Sequence, residues 1–281
     1  ESRISGKPSP INAIKSRIKT PRSIVGKLKR RGFPVTLQSM MDNLNDIGGI
    51  EEILRDTDTR SRELRALGIN VNFAPVCDVS TDPKDFIYDR TLGQDANMTA
   101  DYVRLVVPAM TEGGTLPVLK HFPGYGSATV DDHNGTSIVE KSLSELEACD
   151  LIPFQSIIAA EGSVPFVMVS HLSYPSVTGS DTPADLSSSI VTDILRDKLE
   201  YQNVIITDSH SMASITDHYS AGDAAVKALE AGCDMILMPS DLQAVFDAVK
   251  AAVADGTLSQ ARIDESVLRI LTVKAEYGII S

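Results

Sequence analysis

A chain of 281 residues, 42% hydrophobic with a mean hydropathy of -0.02, can bury a sizeable core, and no apolar stretch in it reaches the ~18–20 residues of a membrane-spanning helix. The formal charge of -12 joins two unlike parts: residues 1–31 carry ten Lys or Arg against Glu1 alone, leaving 16 basic and 37 acidic residues, or -21, in 32–281. So acidic a body argues against nucleic acid as the main partner, and the three cysteines, Cys77, Cys149 and Cys233, far apart in apolar segments, read as buried thiols rather than a disulfide framework.

Residues 1–31 stand apart as an atypical basic N-terminal segment, and 32–281 read as one domain. Residues 37–66 read mostly helical, interrupted at Gly48-Gly49. INVNFAPVCDV (69–79) predicts a strand, 98–113 a helix and TLPVLKHF (115–122) a strand. Residues 142–161 predict a helix, with Leu143, Leu146, Ile152 and Ile157 roughly at helical spacing. VPFVMVSHL (164–172) is a strand, followed by a helix at 188–200 behind a Ser-rich cap. A strand at 203–209, a helix at 221–231, a strand at 234–240 and closing helices at 241–255 and 259–277 complete the pattern.

The strands are continuous apolar runs, as parallel strands buried on both faces must be. Each ends in a polar group: Asp78, Lys120-His121, His171, Asp208 and Ser240. In a barrel such ends converge on one mouth, whereas a doubly wound sheet uses mainly its switch point. Neither GxGxxG nor GxxxxGK[ST] follows any strand. The expected fold is therefore α/β, a (β/α)8 TIM-type barrel. Only five clear strands are visible, and the first 36 residues offer none, so the barrel is expected to be incomplete or altered at its N-terminal strands.

Asp208, directly after the apolar NVIIT, can serve at such a mouth as a nucleophile or base, or can cap the next helix beside Ser209 and Ser211. His133 lies on a Gly-containing loop two residues after Asp131; a histidine exchanges a proton near neutral pH and a carboxylate orients it, although a surface loop can carry the same pair. Lys120 and His121 should alternate, one into the mouth and one against the wall. Arg90 in IYDRTLGQD can grip a polar substrate or pair with Asp89 or Asp95, and His171 can anchor a loop or touch a ligand. Ser209-His210-Ser211 is not a serine-hydrolase signature, since GxSxG is absent. The five histidines form no HxH, HExxH or Cys-His cluster, so neither a metal nor another cofactor is expected.

KHFPGYG (120–126) with Asp131-Asp132-His133, together with VNFAPVCDV, DRTLG, MVSHLSYP, LSSSIVTDILRDKL, VIITDS and RIDESVLRIL, in this order, resembles glycoside hydrolase family 3, in its bacterial β-N-acetylglucosaminidase (β-N-acetylhexosaminidase) branch. The resemblance runs from about Gly32 to the C terminus, and the KHFPG-to-DxH element is its most specific part. It implies a retaining exo-β-N-acetylhexosaminidase that releases terminal β-N-acetylglucosamine from glycans or peptidoglycan fragments. By that resemblance Asp208 is the nucleophile, His133 the acid/base and Asp131 its carboxylate partner, while Lys120, His121 and Arg90 hold sugar hydroxyls. Asp208 would attack the anomeric carbon while His133 protonates the leaving oxygen, and water activated by His133 would then release the sugar with net retention. A neutral imidazole does not repel an anionic acceptor, so some phosphorolysis is expected beside hydrolysis.

Tyr125 stands where the family pattern has a second histidine, and Asp132 where it has a serine. The family's two early strands, the second ending in a D-Q-E-G-G-like motif whose Asp grips the terminal sugar, have no counterpart in residues 1–31. Two alternatives accompany the main reading: a family-3 β-glycosidase of other specificity, and a sugar-binding relative with impaired turnover. Missing strands leave open sheet edges, so the basic segment or a second subunit in a homo-oligomer is expected to cover them, with weakened sugar affinity. The lack of a visible leader points to the cytoplasm, whereas Glu1 in place of Met leaves secretion after leader removal open.

Overall fold

Short apolar runs punctuated by proline, glycine and aspartate build a parallel sheet in this chain. The computed structural model describes residues 50–126, 128, 137–159 and 164–280. Strands β1 (Val71–Asn72), β2 (Leu116–Phe122), β3 (Phe166–Val169), β4 (Val204–Ser209) and β5 (Met235–Leu237) pair in parallel, side by side in chain order, as one five-stranded sheet. That order has no reversal and hence no switch point, which excludes the doubly wound alternative for these strands. The result is an α/β fold with a curled parallel half-barrel.

Helices α1 (Ile50–Ala66), α2 (Ala96–Gly113), α3 (Leu143–Ala148), α4 (Ile152–Ile158), α5 (Pro175–Thr178), α6 (Ala213–Thr216), α7 (Ala221–Ala231), α8 (Leu242–Asp255) and α9 (Gln260–Glu276) connect or close the strands, with a π-type helix at Ser189–Lys198. The period of two along a strand sorts the side chains into two cores. Leu119, Val167, Val169 and Ile205 pack with Val103, Val106 and Met110 of α2, Phe154 of α4, and Ala224 and Ala228 of α7. Their alternates Val118, Phe166, Met168, Val204 and Ile206 pack with Val273 of α9, beside Ile270 and Tyr277.

The long α2 is capped by Asp95, which accepts from the Asn97 and Met98 amides, and Gly114 ends it at φ 94°. Three expectations change. The single helix foreseen over 142–161 is two, α3 and α4, broken at Cys149–Leu151; Pro153 has no N–H to continue the first helix and instead opens the second. The strand foreseen over 69–79 is only Val71–Asn72 plus a lone bridge from Val76 to Lys120, because Pro75 cannot donate to a ladder. Of the cysteines, Cys77 and Cys233 are fully buried free thiols, whereas Cys149 is only half-buried. The part of the expected 37–66 helix before Ile50 lies outside the described residues.

Asp234, at the foot of β5, ties the layers together. It is 6% exposed, accepts from the Ile205 amide at 2.9 Å and the Ser266 hydroxyl at 2.6 Å, and pairs with Arg196 of the π-type helix, Arg262 and Arg269. Arg262, Ser266 and Arg269 reach one point because helical periodicity stacks them on one face of α9. This is what RIDESVLRIL encodes. Asp234→Ala leaves three guanidiniums crowded without their counter-charge, and breaking such a buried group is expected to cost roughly 3–5 kcal/mol. A lowered urea midpoint at unchanged slope checks it.

Candidate active site

The C-terminal ends of β2, β3 and β4 gather most of the polar groups singled out from sequence. Lys120 and His121 close β2, each 2% exposed, and Asp208 sits near the end of β4 with 18% of its side chain exposed. The peptide between Lys120 and His121 is cis. His121 Nε2 lies 3.9 Å from Asp208 Oδ2, and the Arg90 guanidinium comes within 3.5 Å of that same ring nitrogen. Arg90 thus faces the mouth, while Asp95 is engaged in capping α2.

Asp208 is not a helix cap. The next helix, α6, starts at Ala213 with Met212 before it, and Asp208 Oδ1 instead accepts from the adjacent Ser209 amide at 2.8 Å. Burial alone would raise its pKa, but the charges of His121 and His171, the Ser209 hydrogen bond and Lys120 together hold it below the usual carboxylate value. Lys120 and His121 are both buried, and the charges of both bear on Asp208.

Carboxylates back the imidazoles of His121, His171 and His210. Asp78, fully buried, accepts from His121 Nδ1 at 2.7 Å, from the His121 amide at 3.3 Å and from the Tyr125 amide at 2.8 Å. Asp185, in the short 3-10 turn Ala184–Leu186, lies 3.1 Å from His171 Nδ1 and 2.8 Å from His210 Nε2. Burial on its own would lower the His171 pKa; the charge and contact of Asp185, with Asp208 beyond, reverse this and lift it from 6.5 to about 9. Asp78 was visible in the sequence only as a strand-end acid. Asp185 gave no signal at all, since nothing in its neighbourhood forecasts that two distant histidines will close on it. His171, Asp185 and His210 place ligand-type atoms within 4.8 Å of one another, a grouping that histidine spacing does not show. Each Asp185 oxygen, however, already faces its own ring nitrogen.

The turn after β2 is built on two glycines. A Cβ on Gly124, whose φ is +128°, would lie 2.6 Å from Asp150 Cβ, and Gly126 takes φ +57°. Asp150 is fully buried and pairs with Lys141 at 2.6 Å, while Tyr174 Oη donates to the Gly124 carbonyl at 2.6 Å. Tyr125 sets its ring edge-on to His121, centroids 5.4 Å apart, so the tyrosine that departs from the sequence pattern is a packing partner of the site. Asp131 and His133, which follow this turn, lie outside the described residues.

Residues 30–273 match the profile described as "Glycosyl hydrolase family 3 N terminal domain". The chain belongs to glycosyl hydrolase family 3. Among its relatives, "Beta-hexosaminidase LpqI" of Mycobacterium tuberculosis is 35% identical over 235 residues, covering 80% of this chain and 58% of that protein. "Beta-hexosaminidase A" of Pseudoalteromonas piscicida is 34% identical over 237 residues, covering 76% of this chain and 39% of the relative. A solved family-3 β-N-acetylglucosaminidase from Paenibacillus sp. str. FPU-7 superposes with a TM-score of 0.80 at 35% identity, over 85% of this chain and 46% of that one. The chain therefore spans about half the length of the relatives it matches.

Two outcomes are expected. Gly124→Ala combines a positive φ with the Asp150 contact and should lower stability by more than about 1 kcal/mol in urea unfolding. Because the folded His171 pKa is raised, its contribution to stability is complete below pH 6.5 and lost as pH rises through about 9; unfolding followed from pH 6 to 10 should fall across that window.

Proposed function

We propose that this chain carries the catalytic half-barrel of a retaining exo-β-N-acetylhexosaminidase acting on terminal β-N-acetylglucosamine, as in glycans or peptidoglycan fragments. One observation carries the reading: the Asp208 carboxylate, at the end of a buried strand, is kept ionised beside His121 and Lys120, with Arg90 on the same imidazole. An ionised carboxylate at neutral pH is what a glycosidic nucleophile has to be. The names of the hexosaminidase relatives and the Paenibacillus neighbour support the choice of sugar.

In this reading Asp208 attacks the anomeric carbon and forms a glycosyl-enzyme intermediate. Lys120, His121 and Arg90 bind the hydroxyls of the terminal sugar, and Asp78 fixes the His121 ring by accepting its Nδ1 proton. His133, oriented by Asp131, protonates the departing oxygen and then activates water, so that two displacements give retention. The site residues come from separate βα connections, as the mouth of a barrel allows. We read residues 32–281 as one barrel-like domain belonging to an eight-stranded architecture, with the basic segment 1–31 or a second subunit adding to the edges at β1 and β5.

Hydrolysis of an aryl N-acetylglucosaminide and an aryl glucoside by the same preparation tests the proposal. The first is expected to be turned over preferentially, and Asp208→Ala to lower kcat by roughly 10^3-fold or more. Turnover of neither, with thermal stabilisation by N-acetylglucosamine retained, selects a sugar-binding protein instead.

A further inference from the structure

His171 and His210 take no part in the chemistry above, yet both are buried, at 0% and 1% exposure, against the end of the strand that bears Asp208. An imidazole removed from water is costly unless both nitrogens find partners. His171 Nε2 lies 3.0 Å from the Ser209 carbonyl oxygen, which can only accept, so that nitrogen carries a proton. Its Nδ1 lies 3.1 Å from Asp185 Oδ1, an ion-pair distance without hydrogen-bond alignment, and a carboxylate that close favours the charged imidazolium over a bare lone pair.

Its two partners make further hydrogen bonds. The Asp185 amide donates to the Ser170 carbonyl at 3.1 Å, its Oδ2 accepts from His210 Nε2 at 2.8 Å, and its carbonyl accepts from Cys233 Sγ at 3.4 Å. Ser209, gripped through its carbonyl, is the residue whose amide holds Asp208 Oδ1 at 2.8 Å. The titratable groups around this assembly are Asp185 and Cys233 on one side and Asp208 and His210 on the strand end, with Lys120 and His121 of β2 acting on Asp208 across the mouth.

We propose that His171, backed by Asp185, is a positioning residue for Asp208: it anchors the Ser209 carbonyl, and so the backbone that aims the carboxylate, and it sets a second fixed positive charge beside that carboxylate. The inference rests on reading Asp208 as the nucleophile. Fully buried, His171 does not reach the sugar, so its effect belongs in kcat and in the charge state of Asp208 rather than in binding. Asp208 then stands between two carboxylate-backed imidazoles, Asp78–His121 and Asp185–His171, of which only the first belongs to the substrate-binding set.

His171→Gln keeps a donor for the Ser209 carbonyl but removes the charge, and Asp185→Asn removes the charge that keeps the ring protonated. For both, the acid limb of kcat/KM on an aryl N-acetylglucosaminide should move up by roughly 1 pH unit, with kcat near neutrality down roughly tenfold and KM little changed. An acid limb identical to that of the unsubstituted protein, or a loss confined to KM or to thermal stability, overturns the proposal. If neither substrate is hydrolysed, the functional reading fails, but 13C NMR of the Asp208 carboxyl, assigned with Asp208→Asn, still reports whether His171→Gln raises its titration. Should both variants fail to fold, 15N NMR of the unsubstituted protein decides: both His171 nitrogens protonated at pH 8 supports the proposal, and a neutral ring there overturns it. Equilibration with equimolar zinc followed by desalting provides the last arm. Retention of one equivalent on these residues overturns the proposal, because a metal-bound nitrogen cannot hold the required proton.

Discussion

A carboxylate at the end of a buried strand has lost much of its water, and desolvation drives it towards the neutral acid. Asp208 is in that position, and much of the mouth around it counters the tendency. His121, His171 and Lys120 supply positive charge from two neighbouring strands, and the Ser209 amide supplies a hydrogen bond. Burial alone would neutralise the His171 imidazole, which has Asp185 behind it, and Asp78 holds the His121 ring from the corresponding side. Charge is balanced in layers outward from Asp208, and the outermost acids are fully buried: Asp78 accepts from backbone amides, and Asp185 meets His210 through Oδ2 and has only an ion-pair contact with His171 at Oδ1.

Such balancing requires a scaffold that brings several strand ends together without much freedom. The parallel sheet does this because consecutive strands, joined by helices on one face, all deliver their C-terminal ends to one side. At the opposite end of the strands the same logic recurs for structural ends: Asp234 gathers Arg196, Arg262 and Arg269 and locks the π-type helix and α9 to the sheet. The two hubs differ in what faces them. Asp234 meets guanidiniums that hold it in place, whereas Asp208 meets histidines and keeps one side open, at 18% exposure, for something to react with.

Much of the element order was legible because continuous apolar runs and capping residues are local signals. Asp95 before α2, Ser220 before α7 and Ser259 before α9 each accept a helix-start amide, whereas the Ser-rich cap expected before 188–200 does not form: Ser188 precedes the π-type helix with no side-chain cap bond. Boundaries failed where proline cut a pattern that hydrophobicity continued, at Pro75 and Pro153. At the site, Asp208, Lys120 and His121 come together because each lies near a strand end, and Arg90 reaches the same imidazole from the 3-10 turn Tyr88–Arg90 before α2. That Asp78, inside VNFAPVCDV, and Asp185 brace histidines was not foreseen, because bracing depends on rings far away in the sequence.

The sequence by itself determined the strand–helix alternation, the parallel pairing it implies, the family, and which charged residues end the strands, all of them properties of contiguous residues. Only the tertiary structure decided that Lys120 and His121 bear jointly on Asp208 and that Tyr125 packs on His121. It also decided that His171, Asp185 and His210, scattered along the chain, close into one buried group. The physical reason is that desolvation and Coulomb interaction depend on separation in space and on the water excluded between charges, and neither quantity is written in sequence spacing.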